Sequence, residues 1–104
     1  MRMILKAIVD TDAGNEVFRR GGVVEAVDRI QHVIQPEAFY ESVENGQRAV
    51  FAVFDMADPS QIPVITEPLF NLAKAKITLT PCRTLEDIKK GVEEATRRMS
   101  SMEG

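Results

Sequence analysis

The stretch RAVFAVFD, at residues 48–55, consists mostly of β-branched, aromatic and small side chains and contains no helix-breaking residue. We interpret it as a central strand of a sheet. Directly before it stands Glu44-Asn45-Gly46-Gln47, in which Asn-Gly is the dipeptide that two-residue hairpin turns favour. Another strand-like run, residues 38–43, precedes this turn, so the sequence predicts a β-hairpin.

The turn also predicts the register of the hairpin, because a two-residue loop fixes which residues lie opposite each other. Glu44 then pairs with Gln47, and alternate residues of each strand share a face. Both faces carry apolar residues, so either one could face the core. One face holds Tyr40, Ser42, Phe51, Val53 and Asp55, and the other holds Phe39, Glu41, Val43, Arg48, Val50, Ala52 and Phe54.

Two further strands are predicted on either side of this hairpin. Residues 3–10 alternate between one face with Leu5, Ala7 and Val9 and another with Ile4, Lys6, Ile8 and Asp10. Residues 76–82, KITLTPC, form the last strand, and Pro81 suits an edge strand or a strand end because it has no N–H to donate.

Three helices are predicted between and after the strands. The first runs over residues 16–34 and is interrupted at Gly21-Gly22, either by a kink or because another backbone comes close. The second runs over residues 60–73, and Pro68 predicts a kink or two short pieces. The third begins at Thr84, with Asp87 completing a capping box, and we expect residues 100–104 to fray. The predicted inward residues of these helices are Val17, Val23, Val24, Val27, Ile30 and Ile34, then Ile62, Ile65, Leu69 and Leu72, and then Leu85, Ile88, Val92, Ala95 and Met99.

This order of elements predicts one α+β domain over residues 1–104, with a ferredoxin-like βαββαβ arrangement and an added C-terminal helix. Right-handed crossovers would place both connecting helices on the same face of a four-stranded antiparallel sheet. The other face would carry Ile4, Ile8 and one apolar set of the hairpin. We therefore expect a homodimer in which the uncovered sheet faces meet.

Composition restricts the class of protein. Sixteen acidic and 13 basic residues give a net charge of −3 without a basic cluster, and the chain has no Trp and one Tyr, so no nucleic-acid partner is expected. The single cysteine, Cys82, excludes an internal disulfide and fits a reducing, cytoplasmic location. No apolar run reaches the roughly 18 residues of a membrane span, and no metal or cofactor motif is present, so neither a membrane association nor a cofactor is expected.

The N-terminal ILKAIVD, the hairpin leading into VFAVFDMADPS and the closing KITLTP resemble the dimeric α+β barrel proteins. This group includes muconolactone isomerases, cofactor-free antibiotic-biosynthesis monooxygenases, YCII-like proteins and stress-responsive barrel proteins. The resemblance covers nearly the whole chain and includes the Phe54-Asp55 pair that ends a strand before a helix. It implies a homodimer with a small-molecule pocket.

Six polar residues are the candidates for such a ligand site: Lys6, Asp10, Tyr40, Asp55, Thr78 and Thr80. Lys6 lies between Ile4 and Ile8, where desolvation would lower its pKa and make it a base or an anion anchor. Alternatively, it pairs with Asp10 or Asp55 or extends its ammonium group to the rim of the sheet. Tyr40 is a hydrogen-bond donor to a ligand or only the cross-strand partner of Phe51.

Two further charged positions have surface interpretations. Glu41 and Arg48 lie diagonally across the hairpin and predict an ion pair, and His32 is expected at the surface of the first helix.

Three functional hypotheses follow. The first is a cofactor-independent enzyme acting on a small apolar or carbonyl-bearing molecule, with Lys6 or Tyr40 as the acid–base group. The second is a small-molecule-binding or regulatory module without turnover, and the third is a purely structural dimer.

Overall fold

The computed structural model describes residues 1–103 and has the predicted α+β architecture. The strands are β1 (Arg2–Ile8), β2 (Ala38–Glu44), β3 (Gln47–Asp55) and β4 (Lys76–Pro81). The helices are α1 (Thr11–Arg19), α2 (Val23–Ile34), α3 (Ile62–Ala73) and α4 (Leu85–Glu103), with a 3₁₀ turn at Pro59–Gln61. The strands pair antiparallel in the order β2-β3-β1-β4, an arrangement compatible with a ferredoxin-like fold.

The hairpin register is confirmed at every predicted pair. Glu44 lies opposite Gln47, and Tyr40 lies opposite Phe51. The turn residues Asn45 and Gly46 both have positive φ, 52° and 78°, as a type I′ turn requires.

The helices cover the face of the sheet that carries Leu5 and Phe54, which resolves the ambiguity of the hairpin faces. Both side chains are at most 1% exposed. The opposite set, with Phe51 and Val53, remains on the uncovered face and is only half-buried. The core on the covered face contains Met3, Leu5, Ala7, Val50, Ala52 and Phe54, together with Ile34, Met56, Ile65, Leu69 and Ala75.

The glycine pair divides the predicted first helix into α1 and α2. Gly21 has a φ of +71°, and no atom lies within 4 Å of a Cβ placed there, so the chain breaks at this point without another backbone approaching. Helix α1 also begins earlier than predicted, at Thr11, because Asp10 caps it. The break changes the phase of α2 relative to α1, and Val24, predicted to face inward, is 81% exposed.

Pro68 does not divide α3, which is one helix over Ile62–Ala73. The kink was expected because proline cannot donate to the carbonyl of Val64. Pro68 and Val64 both lie on the exposed side of the helix, where water can satisfy that carbonyl. Of the predicted inward residues, Ile65 and Leu69 are buried, whereas Ile62 and Leu72 are exposed.

Helix α4 extends away from the rest of the subunit. It contains no buried residue, and the molecule measures 65 Å along its longest axis against 28 and 20 Å along the others. The predicted capping box is present, since the Thr84 N–H donates to Asp87 Oδ2 at 2.9 Å and the Asp87 N–H to Thr84 Oγ1 at 3.1 Å. The helix continues to Glu103, so the expectation that it frays from residue 100 is wrong for residues 100–103, and Gly104 lies outside the described residues.

Across residues 1–103, the structure contains no helix with the length and apolar character needed to cross a lipid bilayer.

Replacement of Leu5 by Ala tests which side of β1 faces the core. Leu5 is fully buried, so Leu5→Ala should lower the free energy of unfolding by about 2–5 kcal/mol. Val24→Ala, on the exposed side of α2, should change it by less than about 0.5 kcal/mol. Urea unfolding measures both, and equal effects would contradict the described packing.

The capping box predicts a pH dependence of α4. The Thr84 N–H, and after it the Thr84 hydroxyl, lowers the pKa of Asp87. A lowered folded-state pKa means that the cap stabilises α4 above the usual aspartate range and that this contribution is lost as the pH falls through the lowered pKa. Carboxyl NMR titration should give a midpoint below that of an ordinary aspartate. Thr84→Ala removes the hydroxyl but keeps the backbone N–H, so it should move the midpoint only part of the way upward. A midpoint in the unmodified protein at or above that of an ordinary aspartate would contradict the cap.

Candidate ligand-binding recess and open sheet face

The uncovered face of the sheet, here called the open face, brings four of the six predicted site residues together. Tyr40, Phe51, Lys6 and Thr78 form one row across all four strands, because each is paired with the next. The adjacent row contains Ile4 paired with Thr80. Lys6, Tyr40, Thr78 and Thr80 therefore lie on one surface, beside the apolar Ile4, Ile8, Phe51 and Val53 of the two central strands.

Lys6 forms an ion pair with Glu44 and with neither predicted partner. Its Nζ lies 2.8 Å from Glu44 Oε1 and 2.7 Å from Oε2, and the two side chains are 38% and 37% exposed. Because β3 separates β1 from β2, this bond crosses the open face over β3, where the register places Ala49 between the rows of Lys6 and Glu44. Ala49 is fully buried although it lies on the open face. A lysine held by a carboxylate in this way is a positive hydrogen-bond donor, which suits an anchor better than a base.

The other two predicted site residues have structural partners away from this row. Asp10 lies beyond the end of β1 and caps α1 by accepting from the Ala13 N–H at 3.0 Å. Asp55, at the end of β3, binds the α-ammonium of Met1 at 2.8 Å. That hydrogen bond, and then the charge of the ammonium, lowers the pKa of Asp55.

A better enclosed site lies on the other side of the sheet, between α1, α2, α3 and the strands. This recess, here called the helix-side recess, has a volume of about 380 Å³, within the range of small-molecule sites. Its walls are mainly apolar, and a second recess of similar volume continues between α2 and α3. Residues that line the helix-side recess include Val17, Val27, Ile30, Val50, Leu69 and Leu72.

Arg48 supplies the positive charge of the helix-side recess. The side chain is half-buried, and its Nη2 donates to Asn15 Oδ1 at 3.0 Å. The predicted ion pair with Glu41 is not formed, although Glu41 also lines the recess. Within the described part of the chain, Arg48 has no salt-bridge partner at all, so most of its five N–H donors are available to a ligand.

Gly14 allows the Arg48 guanidinium to lie against α1. The residue is buried, and a Cβ added to it would stand 2.6 Å from Arg48 Nη1. No larger residue fits at this position without moving the guanidinium. Gly14 and Asn15 together therefore hold the positive charge in the wall of the apolar recess.

Sequence reasoning missed Gly14, Asn15 and the role of Arg48, and it missed Glu44 as the partner of Lys6. One signal was available: Arg48 shares a hairpin face with Val50 and Phe54, and a charged side chain on the buried face of a strand needs a partner. Glu44 follows from continuing the alternation of β2 by one residue into the turn.

The described residues offer no metal centre, since no group of three or more His, Cys, Asp and Glu side chains among residues 1–103 is placed to hold an ion. His32 is exposed on α2, as predicted. Cys82 is half-buried after β4, and its N–H donates to the Arg2 carbonyl at 3.0 Å.

Neither the protein-family models nor the curated proteins compared with this chain gave a match.

Proposed function

We propose that this protein is a homodimeric small-molecule-binding module, with the two open faces in contact and a ligand in the helix-side recess of each subunit. The observation that carries the proposal is the half-buried Arg48, which has no salt-bridge partner among the described residues and lines a recess of about 380 Å³ with mainly apolar walls. The assembly is the one implied by the resemblance to dimeric α+β barrel proteins.

The ligand class follows from the lining of the recess. Apolar walls favour a hydrocarbon or aromatic body, and a guanidinium favours an oxygen anion that accepts two parallel hydrogen bonds. Glu41 is exposed at the same recess, so water screens its charge, but it opposes a second negative charge on the ligand. We therefore assign the recess to a small amphipathic molecule with a single carboxylate.

The dimer is supported by the apolar character of the open face. Four strands with about 4.8 Å spacing and about 17 Å length present roughly 300 Å² in projection and more as accessible area. Ile4 lies on the central strand β1 and is nevertheless 42% exposed. The centre of this area is apolar, because β1 contributes Ile4 and Ile8 and β3 contributes Phe51 and Val53. A second copy related by a twofold axis would cover that centre with the same residues.

Turnover is the second candidate function, and Tyr40 is the observation in its favour. Its exposed side chain lies in the same row as Lys6, where its hydroxyl could donate a proton to a carbonyl-bearing ligand at the dimer interface. Binding alone is favoured, because Lys6 is held by Glu44 and no other acid–base group completes the row.

A charge placed on the open face should separate the dimer. Val53 lies on β3 in the row of Ile4, and Val53→Asp should raise the dimer dissociation constant by about a hundredfold or more, because two carboxylates would be buried. Val24→Asp adds the same charge to exposed α2 and should leave the constant unchanged. Analytical ultracentrifugation measures both, with circular dichroism to check folding.

A single-subunit mass for the unmodified protein at tens of micromolar would contradict the dimer. Native mass spectrometry of gently purified protein should instead give twice the chain mass of 11.6 kDa. Any retained small molecule would add to this mass.

Decanoate is a suitable probe for the helix-side recess, with decan-1-ol as its uncharged counterpart. Calorimetric titration should show saturable binding of decanoate. Arg48→Met should weaken it by about tenfold to a hundredfold, since a hydrogen bond to a charged group contributes about 1.5–3 kcal/mol. Arg19→Met removes an exposed arginine of α1 outside the recess and should have less than about a twofold effect.

Gly14→Ala distinguishes anion binding from general stability. The methyl group displaces the guanidinium without removing its charge, so decanoate affinity should fall. Because the same methyl group would also lie 3.1 Å from Val9 Cγ1, urea unfolding must show that the variant is folded before the affinities are compared. Equal affinity for decanoate and decan-1-ol, or no effect of Arg48→Met, would contradict the carboxylate assignment.

A further inference from the structure

Helix α4 has an apolar stripe that its own subunit leaves uncovered. The stripe consists of residues separated alternately by three and four positions: Leu85, Ile88, Val92, Ala95, Met99 and Met102. Val92 and Met102, for example, are 59% and 87% exposed.

The spacing of this stripe is informative about what covers it. A helix that packs on a sheet or in a globular core usually shows three or more apolar residues in every seven, which form a wide face. Helix α4 shows two in every seven, at the a and d positions of a heptad, which is the narrow seam of a coiled coil. The remaining positions, such as Lys90, Glu93 and Arg97, are polar or charged except for Gly91.

We infer that α4 packs along this seam against α4 of a second copy of the chain. The seam is complementary to itself, because each copy presents the same heptad spacing, and α4 projects far enough from the sheet to meet another helix. Charges beside the seam are compatible with pairing, because a parallel arrangement brings Arg98 of one helix near Glu103 of the other. An antiparallel arrangement with Leu85 opposite Met102 places Lys89 near the uncharged Thr96, so it brings no like charges together.

A coiled coil of two helices of this length requires a second interface between the subunits to be stable. Nineteen residues provide fewer than three heptads, which are marginal for an isolated coiled coil. Contact between the open faces would raise the effective concentration of one α4 near the other. In this respect the inference rests on the proposed dimer, although the two interfaces involve different residues and can be tested separately.

Single cysteines in α4 of the full chain, with Cys82 replaced by Ser, test the pairing directly. Leu85→Cys and Met102→Cys lie at the two ends of the seam, and Lys90→Cys, on the opposite side of the helix, is the matched control. A parallel pair should cross-link each seam variant with itself, and an antiparallel pair should cross-link only a mixture of the two. Either result, at a rate about tenfold or more above the control, supports the inference.

A charge in the seam provides the second measurement. Val92→Asp should raise the dimer dissociation constant by about tenfold, whereas Ser100→Asp adds the same charge outside the seam and should not. Cross-linking no faster than that of Lys90→Cys, together with an unchanged constant for Val92→Asp, would overturn the inference. If Val53→Asp still abolished the dimer in that case, the open-face contact would stand and only the α4 pairing would fail.

Discussion

The structure depends on one constraint: its four strands carry apolar side chains on both faces, but its helices cover only one of them. Leu5 and Phe54 are buried against α2 and α3, whereas Ile4 and Phe51 lie on the opposite side of the same strands. Because hydrophobic burial is the main favourable term in folding, the subunit is stable through its covered face. The other face would supply the free energy of the proposed association between two copies.

The two faces of the sheet also differ in whether their charged side chains form ion pairs. On the open face, Lys6 and Glu44 neutralise each other across β3. On the covered face, Arg48 is held by an amide oxygen and a glycine and keeps its full charge. A paired charge is compatible with a protein interface, whereas an unpaired charge beside apolar walls is suited to an anionic ligand.

Local signals in the sequence were sufficient for the elements and for the hairpin. The Asn45-Gly46 turn is a short local signal, and it determines the register of the β2-β3 hairpin. The Gly21-Gly22 pair likewise indicated where the first predicted helix is interrupted. Contacts between elements that are distant in the sequence could not be predicted from these local signals. Alternation divides the hairpin residues into two faces, but it does not predict which face contacts the helices, because both are partly apolar. The side of α2 that faces the sheet depends on the backbone conformation at Gly22, which the sequence does not specify. The contacts of Arg48 with Gly14 and Asn15 join residues more than thirty positions apart, so no local sequence pattern predicts them.

The two outer strands determine how copies of this protein can meet. Strand β4 begins at Lys76 and ends at Pro81, and β2 carries Glu41 and Glu44. Charged side chains and proline are the features by which natural sheets discourage the addition of a further strand at an exposed edge. Lateral extension into a continuous ribbon of sheets is thus disfavoured, and the proposed association through the open faces would end at two copies.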